Sequence, residues 1–412
     1  MKLSSLTRNS QPQNIVVKKA KGVKFWDEEG KEYLDFCSQT LNLNLGNSPD
    51  IAKKAFLEQF EKYTFLSTRF TSKVLVDLAN ELINLAPKNL VKVNLKLTNG
   101  GDANESAFKR VRRYRKKPYI LSFHWSHLGE SCETLNANGK HSSSKELGGS
   151  GNFIHLQSPF CIRDQKKNLK DCEKQILQNI EFLFKERDDV AGFIIEPIMV
   201  NAGGLIFGKN FLKEIRILCT KYDISLIFDE IQTGFGWLGK FFASDYYEIE
   251  PDLLTLGKGL ASGFPLSAVL MKKEYDVLEY GEDEFTHGGH PISCAIALEN
   301  IKFLKTSNIL KEVMEKSEFL KKMLLDISRK YKNIVKEVRI CGLIASVEFF
   351  CDKDKNRAVL VYDKALKKGL VLRRSLDGKG PSLVLKPPII VSYDEISKAI
   401  KILEETFKKI ND

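Results

Sequence analysis

No stretch of about 18 apolar residues occurs in the 412-residue chain, so the sequence offers no membrane-spanning helix. The opening segment, MKLSSLTRNSQPQN, lacks the apolar core of a signal peptide, and a cytoplasmic protein is expected. Cysteine is sparse: eight residues are spread along the chain without a Cys-x-x-Cys pair, which argues against a zinc knuckle or a dithiol redox centre. Reduced thiols are expected. His-Glu-x-x-His is missing, and no metal is expected. Gly-x-Ser-x-Gly and the P-loop are missing too, so neither a hydrolase elbow nor a nucleoside triphosphate site is indicated. No segment is rich enough in proline or serine to be a linker.

What is present is ordinary globular material, 43% hydrophobic and 28% charged, with 64 basic against 53 acidic side chains for a net charge of +11. KFWDEEGKEYLDF reads as a hairpin turning on Asp-Glu-Glu-Gly-Lys. Leu75, Leu78, Leu82 and Leu85 fall at helical spacing. VAGFIIEPI (190–198), ISLIFDEI (224–231), DLLTLGKG (252–259) and SAVLMKK (267–273) read as buried strands. GKNFLKEIRILCTKYD reads as a helix between the first two, with Phe211, Ile215, Leu218 and Tyr222 on one face. Strand, helix and strand in series predict a parallel sheet covered on both faces, an α/β fold. Past residue 305 the texture turns to Lys/Glu-rich helices, a strand-like VRICGLIASVEFF and a closing amphipathic helix from Tyr393.

Four motifs stand at strand-to-helix turns, where open α/β sheets bind ligands. In TNGGDANESAFKRVRRYR, Asn99, Gly100, Gly101 and Asp102 open a helix whose first-turn amides could face an anion; a plain tight turn is the competing reading. In FDEIQTGFG, Asp229 ends a buried strand and is either a loop cap or a carboxylate held for a cationic partner. In LLTLGKGLASGFPLSAV, Lys258 sits between apolar runs; a desolvated lysine is a Schiff-base nucleophile, whereas a surface lysine would do nothing. In FTHGGHPISCAIALEN, Pro291 suits the first turn of a helix.

Taken in order with EPIMVNAGG, these motifs resemble the class III aminotransferases of the pyridoxal phosphate fold-type I group, over nearly the whole chain. The resemblance implies a large domain (61–305) built on a mostly parallel seven-stranded sheet covered by helices. It also implies a smaller α+β domain formed by residues 1–60 and 306–412. It implies pyridoxal 5′-phosphate, joined to Lys258 through a Schiff base, with Lys258 as proton shuttle, Asp229 on the pyridine nitrogen, and Gly100, Gly101 and Asp102 around the phosphate. Gln232 would lie near the ring oxygen, Glu196 near the substrate, and Arg373, or Arg374 beside it, on a substrate carboxylate. Thr286 would reach the phosphate of a neighbouring subunit, which makes the expected protein a homodimer with active sites at its interface. Its substrates would be an amine or ω-amino acid and a 2-oxoacid, exchanged by a ping-pong mechanism.

The chain departs from the family pattern at several positions. His127-Leu128-Gly129 replaces Tyr-His-Gly, so His127, or Trp125 nearby, would stack on the cofactor. Gly101 replaces a Ser or Thr, Trp237-Leu238 replaces Arg-Thr, and Asn47 replaces a histidine. An aminomutase of the glutamate-semialdehyde type and a catalytically silent cofactor-binding regulator are the alternatives. The basic run 109–117 is the one feature that could serve nucleic acid; as the cationic end of a helix it reads better as a solvated face.

Overall fold

The computed structural model describes residues 15–139, 151–158, 169–350, 356–375 and 380–411. Its centre is a seven-stranded sheet. In chain order the strands are β1 (Lys92–Leu97), β2 (Tyr119–Phe123), β3 (Phe153–Leu156), β4 (Val190–Ile195), β5 (Ser225–Asp229), β6 (Leu253–Leu256) and β7 (Ser267–Met271). Across the sheet they lie β1-β7-β6-β5-β4-β2-β3. β4, β5, β6 and β7 are buried at every residue, as unbroken apolar runs require when both faces are covered. Leu226, Phe228 and Leu254 pack with helix α2 (Lys209–Lys221) through Phe211 and Ile215. Ile227 and Leu253, pointing the other way, pack with helix α1 (Gly100–Arg115) through Ala103, Ala107 and Val111.

The sheet is α/β as expected, with one strand reversed. β7 runs antiparallel to both neighbours, β6 and β1. The link from Leu256 to Ser267 holds a single 3₁₀ turn, Lys258–Ala261, and is too short for a crossover helix. VRICGLIASVEFF is a hairpin rather than one strand: Val335–Cys341 pairs antiparallel with Ile344–Phe349. Gly342 takes φ +58° in its turn, and a Cβ there would stand 2.0 Å from the Trp237 carbonyl oxygen, so only glycine lets the hairpin close on that segment. The predicted N-terminal hairpin is present, and its strand Glu32–Asp35 pairs in parallel with Leu370–Val371. Both chain ends thus share one small sheet.

Five of the seven cations in the basic run are paired within the fold. Lys109 Nζ lies 2.9 Å from Asp283, Arg112 2.8 Å from Glu133 and Arg113 2.8 Å from Glu282, while Arg115 pairs with Asp223. Cys37, Cys132, Cys219, Cys294 and Cys341 are free thiols, but Cys172 is disulfide-bonded, which corrects the expectation of reduced thiols throughout. No described helix is long and apolar enough to cross a membrane.

Candidate active site

Five of the strands that end on the carboxyl edge of the sheet, β1, β2, β4, β5 and β6, each lead into a candidate group, because they run in the same direction. α1 begins at the end of β1. Its cap, Asn99, accepts the Asp102 N–H at 3.2 Å, and Asp102 accepts the backbone N–H groups of Thr98 and Asn99 at 3.0 Å each, a reciprocal capping box. Asp102 therefore shapes the helix end and turns its carboxylate back on the backbone. Gly100 and Gly101 face a cleft of about 430 Å³, within the usual size of ligand sites. A Cβ on Gly100 would stand 2.8 Å from the tip of the Ile231 side chain, so the first turn lies close against the loop after β5.

Asp229 closes β5 and is 3% exposed. Asn104 Nδ2 donates to it at 2.8 Å and the Ile231 N–H at 3.0 Å. Asn104 is fixed in turn by the Thr255 hydroxyl, which donates to its Oδ1 at 2.8 Å, and by donating to the Leu128 carbonyl at 2.7 Å. Burial pushes the Asp229 carboxyl up to about 6, against the pull of these donors and of Lys258. Its neighbour Glu230 points away and accepts the Ser244 N–H at 2.7 Å, as a helix cap.

Lys258 follows β6 with φ +42°, a strained value for a residue with a side chain and of the sort that gathers at functional sites. Desolvation lowers its amine to about 8; Asp229 and Glu196 pull the value up and Arg373 pushes it down. Lys258, Gly100, Gly101 and His127 line the same cleft. The His127 N–H donates to Glu196 Oε1 at 2.8 Å, which joins the ends of β2 and β4. Trp125 is partly buried and packs against the core. Gln232 is 4% exposed, and neither polar atom of its amide has a partner among the described residues.

Arg373 and Arg374 lie on one short strand and point to opposite faces. Arg374 stacks over Tyr362, 4.9 Å from the ring centroid, while the charge of Arg373 acts on Lys258 and Cys37. Thr286 is exposed and outside the cleft of its own chain. His124-Trp-Ser-His127 and His287-Gly-Gly-His290 carry a two-histidine metal spacing, but no group of three or more ligating side chains occurs among the described residues. Gly234-Phe-Gly-Trp-Leu-Gly239 has the dinucleotide spacing, yet it lies in turns and opens no helix, which the fingerprint requires. Asn104 is the site residue that sequence reading missed. Its signal is a polar side chain four residues before Phe108 on the buried face of α1.

A family model for class III aminotransferases matches residues 5–407. An acetylornithine aminotransferase from Prochlorococcus marinus subsp. pastoris is 30% identical over 408 residues, covering 96% of this chain and 92% of that protein. An adenosylmethionine-8-amino-7-oxononanoate aminotransferase from Staphylococcus aureus is 31% identical over 434 aligned positions, covering 98% and 94%. Among solved structures, taurine:2-oxoglutarate aminotransferase from Bifidobacterium kashiwanohense, in complex with PLP and glutamate, superposes with a TM-score of 0.90 at 25% identity, covering 100% of this chain and 95% of that one. An (S)-enantioselective omega-transaminase from Thermomicrobium roseum does so with a TM-score of 0.88 at 28% identity, with the same coverage.

Proposed function

The chain belongs to the class III aminotransferase family, and from that membership we propose that it moves an amino group from an amine or ω-amino acid to a 2-oxoacid in two half-reactions, with pyridoxal 5′-phosphate as carrier and Lys258 as the lysine that holds it. The observation that carries this reading is the pairing of a buried carboxylate, Asp229, with a desolvated amine, Lys258, at the ends of adjacent parallel strands.

The residues suit the cofactor. A buried amide with both polar atoms unpartnered, as in Gln232, is rare unless a ligand supplies the partner. Gly100 and Gly101 present backbone at a helix N-terminus, where a phosphate is stabilised. When bound, the cofactor supplies an electron sink that makes the C–H bond beside the amine acidic. The rest is the work of the chain. Asp229, oriented by Asn104 and the Ile231 N–H, offers a buried anion to a cationic ring nitrogen. Lys258 Nζ, with its value near 8, can take up and return a proton close to neutral pH. Glu196 sets the His127 backbone so that the imidazole stands at the cleft wall as the stacking ring. Arg373 receives the substrate carboxylate; Arg374 is engaged with Tyr362.

The same reading divides the chain near residues 60 and 305 and makes it a homodimer. Phe60, Phe65, Phe70 and Tyr280 are exposed at 53%, 44%, 67% and 76%, an amount of bare aromatic surface that a second copy would cover. Thr286 would then reach the partner's site. Light scattering is expected to give twice the 46.8 kDa chain mass. Thr286→Ala should weaken cofactor binding by about tenfold or more, as loss of one hydrogen bond to a charged group does, with the mass unchanged; a monomer that is fully active contradicts this arrangement.

An amine donor added alone to the cofactor-loaded protein should convert the cofactor absorbance stoichiometrically and release one oxo product, and a 2-oxoacid added afterwards should restore the absorbance. Isomerisation of a single substrate with no acceptor would instead identify an aminomutase. For a carboxylate-bearing donor, Arg373→Ala should raise KM by about tenfold or more, whereas Arg374→Ala should leave it within about twofold. The rate at which cofactor-free protein captures pyridoxal phosphate should rise with pH through about 8, since the neutral amine is the nucleophile. A midpoint near the ordinary lysine value would refute the assigned environment.

A further inference from the structure

Lysine is seldom fully buried without a carboxylate partner, yet Lys386 is 0% exposed. Its Nζ sits 3.2 Å above the centroid of the Trp237 ring and donates to the Leu41 carbonyl at 3.3 Å, and no carboxylate pairs with it among the described residues. Burial and the nearby Lys258 push its amine well below the ordinary lysine value, which suits an amine held in so dry a place. Trp237 is itself fully buried and donates its indole N–H to the Pro387 carbonyl at 3.0 Å, so the ring is a fixed seat.

The backbone of Lys386 holds the same neighbour. Its N–H donates to the Phe36 carbonyl at 2.8 Å, and its carbonyl accepts the Ser38 hydroxyl at 2.5 Å. What it holds is strained. Ser38, Gln39, Thr40 and Leu41 have φ of 49°, 46°, 59° and 69°, four successive side-chain-bearing residues in the left-handed region. Such a turn persists only where its surroundings over-determine it. Directly after it comes Asn42, which lines the cleft with Lys258.

We propose that Lys386 is a positioning residue of the active site: its buried amine, seated on Trp237 and bonded to the Leu41 carbonyl, holds the left-handed turn Ser38–Leu41 and thereby fixes Asn42 against the substrate. The consequence for the donor rests on the transaminase reading. The hold on the turn does not.

The test uses the cofactor-loaded enzyme and Lys386→Met, which keeps length and apolar volume but removes the amine. Hydrogen exchange in a peptide spanning residues 36–44 should quicken about tenfold while a peptide spanning β5 is unchanged, because the loss is of a local tether. The donor KM should rise by about fivefold with kcat within about twofold, the pattern of lost positioning of bound substrate. Unchanged exchange at residues 36–44, or faster exchange in both peptides alike, overturns the proposal. So does faster exchange of the turn with an unchanged KM. Trp237→Phe, which keeps a smaller ring under the amine, should shift both readouts in the same direction by less, and carries the test should Lys386→Met fail to fold. A parent enzyme that converts no donor would count against the transaminase reading alone, since the exchange experiment needs no substrate.

Discussion

Lys258→Ala should lower turnover in amino transfer by on the order of 10⁴-fold, the upper range for loss of a positioned acid–base group. Lys258 follows β6 on a strained backbone, its amine is brought to about 8 by desolvation, and it makes no hydrogen bond among the described residues. The variant should therefore fold. A small exogenous amine such as methylamine should restore part of the lost rate, since a free base can enter the space the side chain leaves. Turnover within about a hundredfold of the parent enzyme would show that another group moves the proton.

Asp229→Asn should lower turnover by roughly 10³-fold, because a neutral amide cannot hold charge on the ring nitrogen. The same change should make the cofactor-free protein more stable at neutral pH. Burial raises the Asp229 carboxyl from 3.8 to about 6. Between those values the folded chain keeps a proton that the unfolded chain has lost. The contribution is thus fully present below about 4 and disappears as pH rises through about 6, by up to about 3 kcal/mol. Thermal melts of cofactor-free protein should show the parent losing stability from pH 4 to pH 7 relative to Asp229→Asn. A variant less stable than the parent at pH 7.5 would mean that the buried carboxylate is compensated within the empty site.

Strands β4 to β7, the helix Lys73–Leu85 and the N-terminal hairpin were readable from the sequence because each carries its own period or its own turn residues, whereas β1, β2 and β3 were not read from it. The reversal of β7 was readable in principle: ten residues between Leu256 and Ser267 leave no room for a crossover helix. Asp102 was readable too, as the acidic partner of Asn99 three residues earlier, a capping signature that competes with the phosphate reading. The pairing of the basic run was not, since Glu133, Asp223, Glu282 and Asp283 reach it only through the tertiary fold. Lys386 was the least legible. A lysine before Pro-Pro looks like a surface residue, and only the position of Trp237, 149 residues away in sequence, reveals its burial. Local pattern marked the strand ends that carry Asp229 and Lys258; the bond from Asn104 to Asp229 and the burial of Lys386 depend on contacts between distant segments.

The assignment stands on Lys258 as the residue that carries the cofactor. Incubation with pyridoxal phosphate, borohydride reduction, proteolysis and mass mapping should place a single cofactor adduct on Lys258. An adduct on Lys386 or any other lysine in its place, or no adduct at all, would contradict the account.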